Sequence, residues 1–395
     1  MNLREALAGK EIIVVCGSGG VGKTSISAAI ALEAAKERRA IVVTIDPAKR
    51  LASALGLDSG LGHKETVVEL PDAAKGTLHA AMLDMKTAWD ELIDKYSDSR
   101  HAAENIKANR IYRGISEQFV GSQGYMAMER LADLHERGDY DVIVIDTPPT
   151  RSALDFLEAP KRMTDFIGGS LLRWMAKPYS AAGKIGMRAF NFTASPFLRI
   201  ADRVLGSQLL EDLSSLVLDF QNMYDDFKGR AEQVLGLLSS PDTGFVVVTT
   251  LEGPPFREAE FFVDRLVDGN LPLAGLVANK VIPPRFAEDG GVPVDRADEL
   301  GSQMGLDPGR ARDALEEARH ALDTLSLLAR RDVERLAELN RRSRAPVAKV
   351  PLFTQDVHDL EGLKRLARYV LEEPSEESSR EAESAASAPP SGKRG

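Results

Sequence analysis

Residues Glu11 to Cys16 form a short, almost wholly apolar run that passes straight into Gly17-Ser-Gly-Gly-Val-Gly-Lys23-Thr24, and an alanine-rich stretch then continues to about Arg38. A brief continuous apolar run reads as a strand buried on both faces. The octet fits G-x-x-x-x-G-K-[ST], and its place between a strand and a helix is the one its chemistry requires. Glycines let the backbone wrap a phosphate chain with its N–H groups, and the helix N-terminus adds a dipole that favours negative charge. Gly17, Ser18, Gly19, Gly20, Val21, Gly22, Lys23, Thr24 and Ser25 are therefore the expected phosphate-binding residues. Lys23 is expected on the outer phosphates, and the Thr24 hydroxyl on a magnesium ion bridging them. An ordinary glycine turn would need neither the lysine nor the hydroxyl.

Further apolar runs at Ala40–Ile45, Tyr140–Ile145, Gly244–Thr250, Leu273–Ala278 and Ala348–Val350 alternate with helical periodicity. That alternation predicts an α/β fold with a doubly wound, mostly parallel sheet. The second run ends at Asp46-Pro47, which places Asp46 at a strand tip beside the first strand, where ligands of such sheets bind. Asp46 either orients an attacking water there or caps a helix, since Asp before Pro also opens helices. The run Val-Ile-Val-Ile-Asp146 is expected to hold magnesium through its carboxylate, directly or through water. Thr147 to Arg151 follows as a proline-stiffened loop placed to sense the terminal phosphate.

Asn279-Lys280 closes another strand and is expected to read the nucleobase, with a turn-stabilising asparagine as the alternative. Ile282 stands where guanine-reading loops carry aspartate, which points to adenine. Cys16, the only cysteine, reads as a small core residue rather than a nucleophile, and it excludes any intrachain disulfide or cysteine-rich metal cluster.

Between Arg151 and Pro241 the periodicity is helical throughout and carries Phe166, Leu171, Trp174, Met175, Met187, Phe190, Phe192 and Phe197. An inserted helical subdomain over about 151–241, joined by a charged helical stretch within 296–345, is expected. Its large apolar residues suit either packing between helices or a groove for a partner. Residues 373–395, rich in Ser, Glu, Ala and Pro, read as a disordered tail, leaving 1–372 as the folded unit. The N-terminus lacks a long apolar core and no run reaches the length of a membrane span, so a cytoplasmic chain is expected. A net charge of -10 gives no reason to expect nucleic acid as a partner.

Together these residues resemble the ArsA-like ATPases, the arsenite-pump and tail-anchored-protein-targeting ATPases of the P-loop NTPases, within the larger group that includes MinD and ParA. The resemblance spans nearly the whole chain: the glycine loop, Thr44-Ile-Asp-Pro-Ala, Asp146-Thr-Pro-Pro-Thr, Val248-Thr-Thr-Leu-Glu252, Leu276-Val-Ala-Asn-Lys and the closing Val350-Pro-Leu-Phe-Thr-Gln-Asp-Val-His-Asp-Leu-Glu-Gly-Leu occur in the family's order. It implies an ATPase in which Asp46 activates water alongside Lys23, Thr24, Asp46 and Asp146 surround the magnesium, Asn279 contacts adenine, and Pro351 to Phe353 lie along the nucleotide. It also implies a helical subdomain that acts on a client protein or a peripheral membrane partner. A nucleotide-gated module of the MinD or ParA kind, with little turnover, is the alternative, and its membrane contact would come from a basic amphipathic helix such as Asp359–Leu371. Two departures stand out. Ser18 occupies the position of the family's lysine that reaches across a dimer, leaving homodimer and monomer open and Arg50 or Arg151 as substitutes. The single cysteine also removes the family's metalloid and zinc chemistry.

Overall fold

The structure, a computed structural model, describes residues 2–45, 50–57, 60–70, 74–118, 123–147, 212, 215–216, 218–220, 223–287, 297–305, 307–353 and 355–372. Eight strands form one sheet: β1 (Ile12–Cys16), β2 (Arg39–Thr44), β3 (Thr66–Val68), β4 (Thr77–Met82), β5 (Val142–Asp146), β6 (Thr243–Thr250), β7 (Leu273–Val281) and β8 (Val347–Pro351). Their order across the sheet is β3-β4-β2-β5-β1-β6-β7-β8. All neighbours run parallel except β3, which pairs antiparallel with β4 at one edge. The doubly wound parallel sheet expected from the apolar runs is present.

One expectation needs correcting. The strand leading to Asp46 was placed beside the first strand, but β5 lies between β1 and β2 and pairs with both. The crossover from β1 through helix α2 (Lys23–Ala34) skips one position in the sheet, and β5 fills it from much later in the chain. Sequence adjacency favours neighbouring strands only about two-thirds of the time, and this crossover falls in the remainder. The skipped slot puts the end of β5 between the ends of β1 and β2, which positions the site described below.

Alternation along each strand divides the interior in two. Ile12, Val14, Cys16, Ile143, Ile145, Phe245 and Val247 face one layer, which also holds α4 (Met85–Tyr96), α5 (Arg100–Ala108), α7 (Gln123–Arg137), α8 (Tyr224–Leu238) and α9 (Gly253–Asp268). Helix α6 (Arg110–Gln118) packs against α4 and α5 in the same layer. Ile13, Val15, Val42, Val144, Val246 and Val248 face the other, against α1 (Leu3–Leu7), α2, α3 (Arg50–Ala54) and α12 (Leu360–Leu371). Helix α2 shows almost no amphipathicity, because Ile26, Ser27, Ala28, Ala29, Ile30 and Ala31 are all buried between the sheet and α12.

Helix α12 is strongly amphipathic, and its apolar face, Leu363, Leu366, Ala367, Val370 and Leu371, is buried in that same layer. Its Lys364 pairs with Glu361, and its Arg365 guanidinium lies over the Phe353 ring at 4.6 Å. The basic amphipathic helix considered for membrane contact has thus committed its apolar face to the fold. Helix α10 (Ala297–Met304) precedes α11 (Pro308–Ser343), a 36-residue helix that makes up most of the charged helical stretch expected within 296–345.

Helix α8 leads the chain into β6 and docks on α7. Phe227 packs against Tyr96, Tyr125 and Phe220. Arg230, 5% exposed, bonds both Glu129 carboxylate oxygens at 3.0 and 3.1 Å and also reaches Glu136 and Gln233. Residues 148–211, including Trp174, Met175, Phe192 and the other large apolar residues singled out above, lie outside the described residues, as do Asp46 and the tail 373–395.

Candidate nucleotide-binding site

The glycine loop joins the end of β1 to the start of α2, at the carboxyl edge of the sheet. Two of its glycines are dictated by close approach. Gly17 has φ +148°, and a Cβ there would lie 2.1 Å from the Val248 carbonyl oxygen, a backbone atom of β6 that has nowhere to go. Gly22 caps α2 at φ +98°, and a Cβ there would lie 2.3 Å from Asn279 Nδ2. Val21, 1% exposed, anchors the loop in the core. Lys23 is buried, and its ammonium donates to the Ser18 carbonyl at 2.9 Å, folding back onto the loop. The Ser18 hydroxyl oxygen is buried without a hydrogen-bond partner.

Three hydroxyls from two segments converge on Asp146, which is 1% exposed. Its Oδ2 accepts from the Thr24 hydroxyl at the start of α2 and from the Thr44 hydroxyl at the end of β2, both at 2.8 Å. Ser27, one turn into α2, approaches Oδ1 at 3.5 Å. This convergence follows from the slot taken by β5. With β5 between β1 and β2, residues 122 and 102 positions away in sequence meet one carboxylate. Thr147 closes the strand end, its N–H and hydroxyl both donating to the Val15 carbonyl, at 3.2 and 2.9 Å. A hydroxyl that donates to a carboxylate keeps its lone pairs for a hard cation, so Thr24 and Asp146 form an all-oxygen corner of the kind magnesium takes.

Asp46 itself is outside the described residues; the preceding Ile45 N–H points to the Asp146 carbonyl at 3.4 Å, keeping the β2 end beside β5. Thr44, Ser27 and Thr147 were not singled out from sequence for these contacts. Their only signal is a hydroxyl residue within one turn of the loop lysine or at a strand end next to a carboxylate.

A cleft of about 620 Å³ opens beside the loop. Gly22 and Ser25 line it on the loop side, Arg50 and Ser53 on α3, Asn279 and Lys280 on β7, Pro351 at the end of β8 and Phe353 just beyond it. It brings together the separate residues expected to hold the nucleoside. Phe353 is fixed from behind by the Tyr369 ring, 5.6 Å away, and by Arg365. Asn279 was expected to close its strand, but β7 continues to Val281 through an irregularity between Ala278 and Val281. The Asn279 amide donates to the Val21 carbonyl at 2.7 Å, and its oxygen accepts from the Lys280 N–H at 2.9 Å.

Cys16, directly before the loop, is fully buried; burial pushes its thiol well above the usual value, and nearby Lys23 offsets this only in part. A protonated, enclosed thiol is no nucleophile. Among the described residues no group of three or more His, Cys, Asp or Glu side chains forms a metal cluster, and no helix is long and apolar enough to cross a membrane.

The sequence is similar to those of known ATPases. The chain is 24% identical to the ATPase GET3 of Komagataella phaffii over 91% of its own length and 89% of that protein's. It is 25% identical to the ATPase GET3 of Lachancea thermotolerans over 70% and 73% of the two chains. It is 23% identical to the ATPase BagA of Mycobacterium tuberculosis over 77% and 74%. The family model described as anion-transporting ATPase matches residues 10–296, a span that holds the glycine loop, Thr44, Asp146 and Asn279. This chain therefore belongs to the anion-transporting ATPase family and is an ATPase.

Proposed function

We propose that the chain hydrolyses magnesium-bound ATP and passes the state of the nucleotide to the segment following Thr147, whose sequence periodicity is helical and which acts on a client protein. The observation that carries this reading is the double acceptance at Asp146 Oδ2, which ties the glycine loop to the strand leading to Asp46 and to the strand leading to the 148–222 segment. Magnesium would be held by Thr24 and Asp146, with Asp46 beside it, and when bound it neutralises charge on the outer phosphates. Lys23, released from the Ser18 carbonyl, turns its ammonium to the same phosphates. Asp46 orients the attacking water.

Adenine fits the base side for a chemical reason. With one N–H on Val21 and one lone pair on Lys280, the Asn279 amide keeps one donor and one acceptor. Adenine offers the complementary acceptor N7 and donor N6 along one edge, whereas guanine offers two acceptors there. ATP should accordingly bind about tenfold or more tightly than GTP. Ser18 carries no charge with which to reach a partner's phosphates, so the site is completed within one chain or by another cation; among the described residues Arg50 and Lys280 line the cleft. A MinD-like membrane module is not favoured, because the apolar face of α12 is already buried.

Calorimetric titration with Mg-ATP and Mg-GTP, followed by hydrogen exchange of residues 148–222 in the ATP-analogue and ADP states, tests both parts. Equal affinity for the two nucleotides would remove the adenine assignment. Identical exchange in the two states would remove the coupling.

A further inference from the structure

The link between Asn279 and Val21 joins the base side of the cleft to the phosphate loop, and three other features are arranged around it. Lys280, next in sequence, sits at φ +59°, a left-handed conformation that a residue with a side chain adopts when its surroundings impose it. Its N–H donates to Asn279 Oδ1, so this twist holds the amide in place. The pairing of β7 with β8 slips at the same point, between Ala278 and Val281. Such irregularities re-aim a side chain out of a strand. On the loop side, Gly22 has no Cβ, and the Asn279 amide occupies the space where one would stand. The orientation of the amide is unambiguous, because Val21 supplies an acceptor and Lys280 a donor.

We infer that Asn279 is a positioning residue for the phosphate loop: besides facing the base, its amide props the Val21–Gly22 turn in the conformation that receives phosphate, whether or not a base is present. The inference rests on the nucleotide reading above and extends it, since a residue that only reads adenine has no effect on a ligand without a base. The consequence is a direct mechanical connection between the two halves of the ligand. Tension on the amide from the base is transmitted to the loop through a single side chain.

Inorganic tripolyphosphate with magnesium is the probe that separates the two roles. Its affinity and that of Mg-ATP are measured by displacement of a fluorescent ATP analogue from the full chain, wild type and Asn279→Ala, alongside thermal midpoint and circular dichroism. The expected result is a native spectrum, a cooperative melt lowered by no more than a few degrees, and tripolyphosphate binding weakened about three- to tenfold, the loss of one hydrogen bond's net contribution. Saturated ATP turnover should fall as well, which a lost base contact alone would not cause. Unchanged tripolyphosphate binding would overturn the inference while leaving the nucleotide reading intact. So would a wild-type chain that binds ATP but not tripolyphosphate, since the loop would then be organised by the base. Failure of the wild type to bind either ligand would instead overturn the nucleotide reading itself. If Asn279→Ala does not fold, Asn279→Ser is measured in the same way, and loss of fold in both would overturn the inference in favour of a core role.

Discussion

Thr44→Val isolates the convergence on Asp146, because valine keeps the β-branched shape of a residue that is 1% exposed and removes only the hydroxyl. That hydroxyl donates at 2.8 Å to the Oδ2 atom that also accepts from Thr24. A hydrogen bond to a charged group contributes about 1.5–3 kcal/mol, and here the acceptor is shut off from water, so unfolding free energy should fall by about that amount. A few degrees of thermal midpoint correspond to it in a chain of this size. The functional effect has a different origin. In the proposed function Thr24 and Asp146 hold the magnesium, and Thr44 holds the carboxylate from outside that pair. Loss of such a supporting contact weakens a metal site by about 10–100-fold. The assay is ATP turnover as a function of free magnesium, with thermal melting in parallel, for wild type, Thr44→Val and Thr44→Ser. Serine keeps the donor and should restore both quantities toward wild type. A valine variant with unchanged magnesium dependence, or a serine variant as impaired as valine, would refute the reasoning.

Arg230→Met should lower unfolding free energy by about 3 kcal/mol in urea titration, because Glu129 and Glu136 lose a buried partner. Arg230→Lys should recover little of this, since one ammonium cannot reproduce the paired contact with both Glu129 oxygens; full recovery would contradict that geometry. Cys16 should resist thiol-specific reagents in the native chain at pH 8 and react once the chain is unfolded, because burial holds its thiol above that range. Rapid modification of the native chain would show that the β1 end opens.

The central strands were legible because each is a continuous apolar run closed by a polar residue, the pattern that a strand buried on both faces leaves in a sequence. Their order was not, because the position of β5 depends on a crossover that skips a slot, and no local pattern records it. The edge strand β3 and its neighbour β4 escaped notice for a related reason. Thr77–Met82 is only partly buried and mixes His and Thr with small apolar residues, so it lacks the run that marks the centre. In the site, the loop residues could be read directly since their spacing is itself the chemistry. The contribution of Thr44 and Ser27 could not, because it exists only where α2 and β2 meet the end of β5. Asn279 is expected from sequence to read the base, but its contact with Val21, 258 positions away, leaves no local signal. The basic character of α12 was equally visible, while the burial of its apolar face required knowing that α2 lay opposite.

The most direct test of the account is steady-state phosphate release from Mg-ATP by the wild type, Lys23→Ala and Asp46→Asn. Turnover by the wild type that falls by at least about a hundredfold in each variant, the scale expected when a transition-state contact is removed, is the predicted result. Turnover that survives either substitution would place the hydrolytic chemistry outside the loop and strand ends described above.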